Sequence, residues 1–355
     1  MGYINTRSVS AIGVLFPIFA IIALGLRGYG WRRHRQVLSV DDILVVPAGL
    51  LTITAGIALV IGAQIHIIGG HSQPETVAEE TVKLGKFEYA FWIGHILAIG
   101  FIKLTILFLL RRVFKGRAYR TAFDYVNWIL IILVTLWTLI FLFFDIFACG
   151  ITPQASWESW SSLRSNCIDT FAMQTGCAVF SWVLDLAIFI EPLVMVRTLN
   201  MSRKRKAQAS LVFLCSGLAV VAGLLRMIPW IQIHIQDITH PTVKLLDTTF
   251  PTEDQQGIVS IAIFWTYIEI GVGFIVACVP RSAWVLDKIS IEPILSNLRS
   301  LSSSVSLLRK DRNSRRKEKE MSGYQSSLAT MPQPKKSSGN RSDDDVELIA
   351  VGGHV

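Results

Sequence analysis

Lys103, Asp185, Arg226 and Glu269 each stand inside a long apolar stretch of the sequence. A single charge in such surroundings costs several kcal/mol unless it is paired or faces water. Residues of this kind therefore either lock neighbouring segments together as ion pairs or serve ligand binding and proton transfer. Counting about 1.5 Å of rise per residue from the basic flank of each stretch puts Lys103 roughly 12 Å deep and Asp185 and Glu269 roughly 18 Å deep. On the same scale Arg226 is roughly 30 Å above Lys206, nearer the opposite mouth, and Glu191 only about 9 Å above Arg197. The expectation is a polar core of Lys103, Asp185 and Glu269 with Arg226 above it. Glu191 reaches toward the nearer interface on a different helix face from Asp185. In catalysis, Asp185, Glu191 and Glu269 would be the proton donors of an acid/base cyclase or isomerase.

The elements that carry these groups are helices. Seven apolar stretches, at about 9–26, 43–68, 87–110, 123–148, 171–196, 209–231 and 257–279, each approach the roughly 20 residues that a hydrocarbon core requires. With 52% hydrophobic and 17% charged residues among 355, the chain is too apolar for an ordinary soluble domain. The fold class is all-α, a polytopic bundle of seven transmembrane helices. Basic residues follow the first helix (Arg27, Arg32, Arg33, Arg35), the third (Arg111, Arg112, Lys115, Arg117, Arg120) and the fifth (Arg197, Arg203, Lys204, Arg205, Lys206). The other loops are poor in them, so the positive-inside rule puts the N-terminus outside and the C-terminus in the cytoplasm. The net charge of +8 thus reports topology, and no nucleic-acid partner is expected. The bilayer itself is the first partner, in the plasma membrane or an endomembrane.

Three domains follow: a short extracellular N-terminus at 1–8, the bundle at 9–287 and a disordered cytoplasmic tail at 288–355. Ser302, Ser303, Ser304 and Ser306 lead into a basic run from Arg309 to Lys319 that cannot bury a core. It reads equally as a solvated linker and as a segment binding the inner leaflet. Residues 284–298 could first lie along the interface as a short helix.

Cys149 and Cys167 share one outer loop, where an oxidising compartment favours a bridge between them. Trp157 and Trp160 in that loop either pack on the bridge or sit at the lipid interface. His66 and His95 fall in the outer halves of helices two and three. With Arg226 and Trp230 they outline a possible ligand pocket, although a packing role suits both histidines better. At the other end, Asp41 and Asp42 begin helix two, where they favour its dipole. They could also pair with Arg111 or Arg112 as an ionic latch.

The combined pattern resembles the fungal rhodopsin-domain family over residues 10 to about 287. Carrying the likeness are Asp41-Asp42, Gly62 and His66, Lys103 with Arg111 and Phe114, Cys149, Pro153 and Cys167-Ile168-Asp169. Asp185 to Pro192, Arg226, Glu269 and Ala277-Cys278-Val279-Pro280 complete it. Gln64 and Ser181 depart from it. The resemblance implies a receptor-like protein that senses a small or lipophilic ligand and engages a heterotrimeric G protein or another cytosolic effector. Some members of the family lie in secondary-metabolite gene clusters. Retinal is not expected as a cofactor, because residues 257–279 contain no lysine for a Schiff base. No metal-ligand spacing is present either.

Overall fold

The computed structural model describes residues 5–34, 39–69, 77–114, 120–158, 160–198, 203–235, 242–245, 248–251 and 255–288. Seven long helices form the bundle: α1 (Thr6–His34), α2 (Val40–Gln64), α3 (Val77–Phe114), α4 (Arg120–Ile146), α7 (Thr170–Thr198), α8 (Arg203–Ile235) and α9 (Gln255–Lys288). Two short helices, α5 (Ala155–Glu158) and α6 (Trp160–Asn166), fold within the connection between α4 and α7. The connection between α8 and α9 holds the only strands among the described residues, β1 (Thr242–Leu245) and β2 (Thr248–Pro251). They pair antiparallel, Thr242 opposite Pro251 and Leu245 opposite Thr248. All seven long helices contain a stretch long and apolar enough to cross a bilayer. The chain is a multi-pass integral membrane protein.

The helices pack in chain order around a ring that closes where α9 meets α1. Helices α3 and α9 also pack against each other and are the most buried, with 67% and 72% of their apolar spans buried against 28% for α1 and α4. Large side chains left on the outside, such as Ile18, Ile57, Phe143, Val183 and Leu218, face outward as a lipid-exposed belt must. Close approach depends on small residues where α1, α2 and α9 meet. A Cβ on Gly56 would run into Pro17 and the Tyr267 hydroxyl and lie 2.8 Å from the carbonyl of Gly13. That opening lets the Tyr267 hydroxyl donate to the carbonyl of Thr52, 3.2 Å away.

The expected seven spans are present, several in helices longer than expected (α3 begins at Val77 and α8 at Arg203), and two of the differing ends have a local origin. Helix α2 stops at Gln64 rather than continuing to 68, because His66 adopts a left-handed backbone with φ of 58°. The turn is held by the amides of Ile67 and Ile68, both bonded to the carbonyl of Gly62. Its carbonyl at His66 then accepts from the Gln256 side chain, and Gly69 N–H donates to Ser260 Oγ at 2.9 Å, so the turn is fastened to the start of α9. At the other end, α9 runs unbroken through Pro280 to Lys288, past the expected start of a separate interfacial helix at 284. The tail expected to be disordered lies outside the described residues.

Candidate functional site

Five polar side chains, all buried except the slightly exposed Asp185, meet at the centre of the bundle. Lys103 of α3 pairs with Asp185 of α7 and donates to the carbonyl of Ser181 at 3.0 Å. Arg226 of α8 pairs with Glu269 of α9, their side chains only 2% and 5% exposed. The guanidinium also lies 2.6 Å from His95 Nε2. Arginine has no acceptor, so Nε2 must be the unprotonated ring nitrogen. The Arg226 to Glu269 contact is a pairing of charges rather than a set of well-angled hydrogen bonds, since Arg226 Nε, the atom that approaches the carboxylate, makes no hydrogen bond. Gly223 lets α8 come close enough to connect the two pairs. A Cβ there would lie 3.1 Å from Asp185 Oδ2 and 3.7 Å from Glu269 Oε1.

This arrangement corrects the expected position of Arg226. It belongs to the network instead of lying above it: its guanidinium pairs with Glu269 and touches His95, and Gly223, three residues earlier on the same helix, lies against Asp185. A count from Lys206 measures distance along α8, which begins at Arg203 and carries that basic flank as its own first turn, and not depth in the bilayer. Glu191 differs too. It is buried, not stretched to the interface, and the Asn127 amide of α4 faces its carboxylate.

Below this core, Arg27 donates from Nη2 to Asp41 at 2.6 Å and from Nε to Asp42 at 2.9 Å. Arg112 reaches the same two carboxylates at 3.4 and 3.5 Å. Asp42 also accepts from the backbone of Ser39 at 3.4 Å and so helps to cap α2. The proposed latch partner Arg111 is not part of this cluster. It lies 3.7 Å from Asp124 and 4.6 Å from the centre of the Trp128 ring. One residue along a helix turns a side chain by roughly 100°, which carries Arg111 toward α4 while Arg112 faces α2. Arg27, read from the sequence only as a topology marker, supplies the shortest contacts.

At the opposite end an open cavity lies between α3, α4, α7, α8 and α9. Its walls include Glu88, Tyr89 and Trp92 of α3, Asp145 of α4, Gln174 of α7 and Trp230 of α8. The connection between α4 and α7 contributes Ala148, Ser156 and Leu163. A disulfide between Cys149 and Cys167 holds that connection. Trp157 packs edge-on against Tyr89 of α3 at 5.4 Å. The side chain of Trp160 lies outside the described residues.

Of the four residues expected to outline a pocket, only Trp230 lines this cavity. The exposed His66 serves the turn after α2. His95 and Arg226 lie one layer beneath, linked to the cavity through Trp92, whose ring meets His95 at 5.8 Å and Trp230 at 5.3 Å. Sequence reasoning overlooked Glu88, Asp145 and Gln174. All three stand within or beside apolar stretches, but near span ends, where a polar residue reads as an interfacial one. No cluster of His, Cys, Asp or Glu suited to a metal occurs among the described residues.

No solved structure matches the chain. The polyenoic acids biosynthesis gene cluster protein Ba17b of Metarhizium anisopliae is 26% identical over 311 residues, covering 84% of this chain and 78% of that protein. The phomoidride biosynthesis cluster protein H of Fungal sp. (strain ATCC 74256) is 25% identical over 170 residues, 41% of this chain and 60% of that protein. Residues 26–288 match the fungal rhodopsin domain, a range that contains the paired aspartates of α2, the buried ion pairs and the disulfide. With its seven spans and this match, the chain belongs to the fungal rhodopsin domain family.

Proposed function

We propose that the chain is a receptor-like membrane protein that binds a small lipophilic molecule in the cavity beneath the Cys149 to Cys167 loop and relays occupancy across the bilayer. The observation that carries this reading is the continuity of contacts below the cavity. Trp230 of the wall meets Trp92, Trp92 meets His95, and His95 touches Arg226, whose partner Glu269 shares the Gly223 surface with Asp185. Packed cores and ion-pair networks switch between discrete arrangements, so a small shift at the cavity can be amplified toward the Arg27, Asp41, Asp42 and Arg112 cluster. A cytosolic effector, a heterotrimeric G protein being one kind, would read that cluster. The names of the two relatives support a ligand drawn from secondary metabolism.

Catalysis by Asp185, Glu191 or Glu269 has less support, because none of the three lines the cavity. The test is a thermal-unfolding screen of the detergent-solubilised full chain against fractions of fungal culture extract, beside a variant with the cavity filled by Thr170→Trp. A ligand present at 100 times its Kd adds about 2.7 kcal/mol. At least one fraction should raise the Tm of the wild-type protein and leave the filled variant unchanged. It should also alter hydrogen exchange around Asp41 and Arg112. The reading fails if no fraction acts, or if both proteins respond alike.

A further inference from the structure

The chemical class of ligand is written in the walls of the cavity. Two carboxylates, Glu88 and Asp145, face it from α3 and α4 and lie close enough to feel one another's charge. No lysine, arginine or histidine lines it among the described residues. Glu88 is held by the Trp92 indole, whose N–H donates to Oε1 at 3.1 Å. Asp145, 6% exposed, accepts one hydrogen bond from Gln174 at 3.3 Å through Oδ1. Its other oxygen, Oδ2, has no hydrogen-bond partner. Among the other buried carboxylates, Asp185 has Lys103, Glu269 has Arg226 and Asp41 has Arg27, while Glu191 has only the Asn127 amide and does not line the cavity. At the cavity no countercharge is supplied among the described residues. An acceptor buried without a partner is costly, and a carboxylate within a membrane span more so.

Four of the other wall residues are aromatic. Tyr89, Trp92, Phe171 and Trp230 line the cavity, with Trp92 meeting Trp230 at 5.3 Å and Phe171 meeting Trp230 at 6.4 Å. Indole and phenol faces attract cations through their quadrupoles, and such a lining combined with carboxylates is the chemistry used to hold ammonium groups. An anionic ligand would meet two like charges and no lysine, arginine or histidine among the described residues of the wall.

Taking the cavity to be the ligand site proposed above, we propose that it selects an organic cation, a protonated amine or quaternary ammonium carried on an apolar body, with Asp145 and Glu88 as its counter-ions. The ammonium group completes the coordination of Asp145 Oδ2, while the apolar body packs on the tryptophan pair beside His95.

The probe is benzyltrimethylammonium, compared with its neutral carbon isostere neopentylbenzene, titrated against the detergent-solubilised full chain while tryptophan fluorescence and Tm are followed. The cation should bind at least tenfold more tightly than the isostere. Asp145→Asn and Glu88→Gln each preserve shape and can keep their existing hydrogen bond from Gln174 or Trp92. Each should weaken the cation at least tenfold and leave the isostere unchanged. Asp124→Asn, an exposed carboxylate change at the other end of the bundle, should alter neither. Equal binding of cation and isostere, or cation binding indifferent to both carboxylate variants, overturns the proposal. If a culture fraction stabilises the wild-type protein but its active component is neutral or anionic, the class of ligand is wrong and the binding site stands. If no fraction and neither probe binds, the site itself is wrong. Should one carboxylate variant fail to elute as a single species, the other decides.

Discussion

Replacing Arg226 by methionine should be among the most damaging single changes in the bundle. The magnitude depends on which regime governs its pairing with Glu269. Solvent-exposed pairs contribute about 0–1 kcal/mol, whereas removing one partner of a buried pair costs about 3–5 kcal/mol, because the surviving charge is left without compensation. At 2% and 5% exposure the Arg226 and Glu269 side chains belong to the second regime. His95 would also lose its donor at Nε2. With about 2–4 °C of Tm per kcal/mol for a chain of this size, Arg226→Met should lower the Tm by roughly 6–20 °C. Glu269→Gln should fall in the same range. In the double variant neither unpaired charge remains, so the loss should be smaller than the two single losses added, by roughly 1–3 kcal/mol. Unfolding of the purified protein in detergent, followed by tryptophan fluorescence, measures all four. A single-variant shift under about 2 °C, or losses that add to within about 0.5 kcal/mol, would refute the reasoning.

Three further outcomes follow from the geometry. Arg27→Gln should destabilise the chain by several kcal/mol and Arg112→Gln by under about 1 kcal/mol, since Arg27 is 6% exposed with contacts of 2.6 and 2.9 Å and Arg112 is 35% exposed with contacts of 3.4 and 3.5 Å. The reverse order of Tm would contradict the assignment of Arg27 as the principal partner. Reduction of the Cys149 to Cys167 bridge, which closes a loop with a sequence separation of 18, should remove about 3 kcal/mol. Maleimide labelling before and after reduction should reveal two additional thiols, and unchanged labelling would rule the bridge out. Gly56→Ala should cost about 1–3 kcal/mol by forcing α1 and Tyr267 away from α2. A neutral result in the same thermal assay would show that the three helices are packed less closely there.

Much of the architecture was legible in the residues alone. Whether a segment crosses a bilayer is settled within a window of about twenty residues, because lipid offers no partner to an unpaired backbone group. That locality is why the seven spans could be read without knowing how they touch. Cys149 and Cys167 were legible for a similar reason, as two cysteines within one short connection. Helix ends were less so. The left-handed turn at His66 follows from where the amides of Ile67 and Ile68 bond, not from the apolar pattern, which continues through both isoleucines.

Composition and order by themselves thus determined a seven-span helical membrane protein, the residues that carry charge into its interior and the loop that a disulfide would hold. Only the tertiary structure decided who pairs with whom. Arg226 could be matched to Glu269, Arg27 to Asp41, and Arg111 to Asp124 only once each helix had a rotation about its axis and a place in the ring. The same is true of the cavity. Glu88 and Asp145 come from different helices, and each alone reads as a polar residue near a span end. What joins them is that packing brings them to the wall of one cavity and places no cation among the described residues lining it. Span formation depends on local transfer free energy, whereas charge pairing and cavity chemistry depend on distances between segments far apart in the chain.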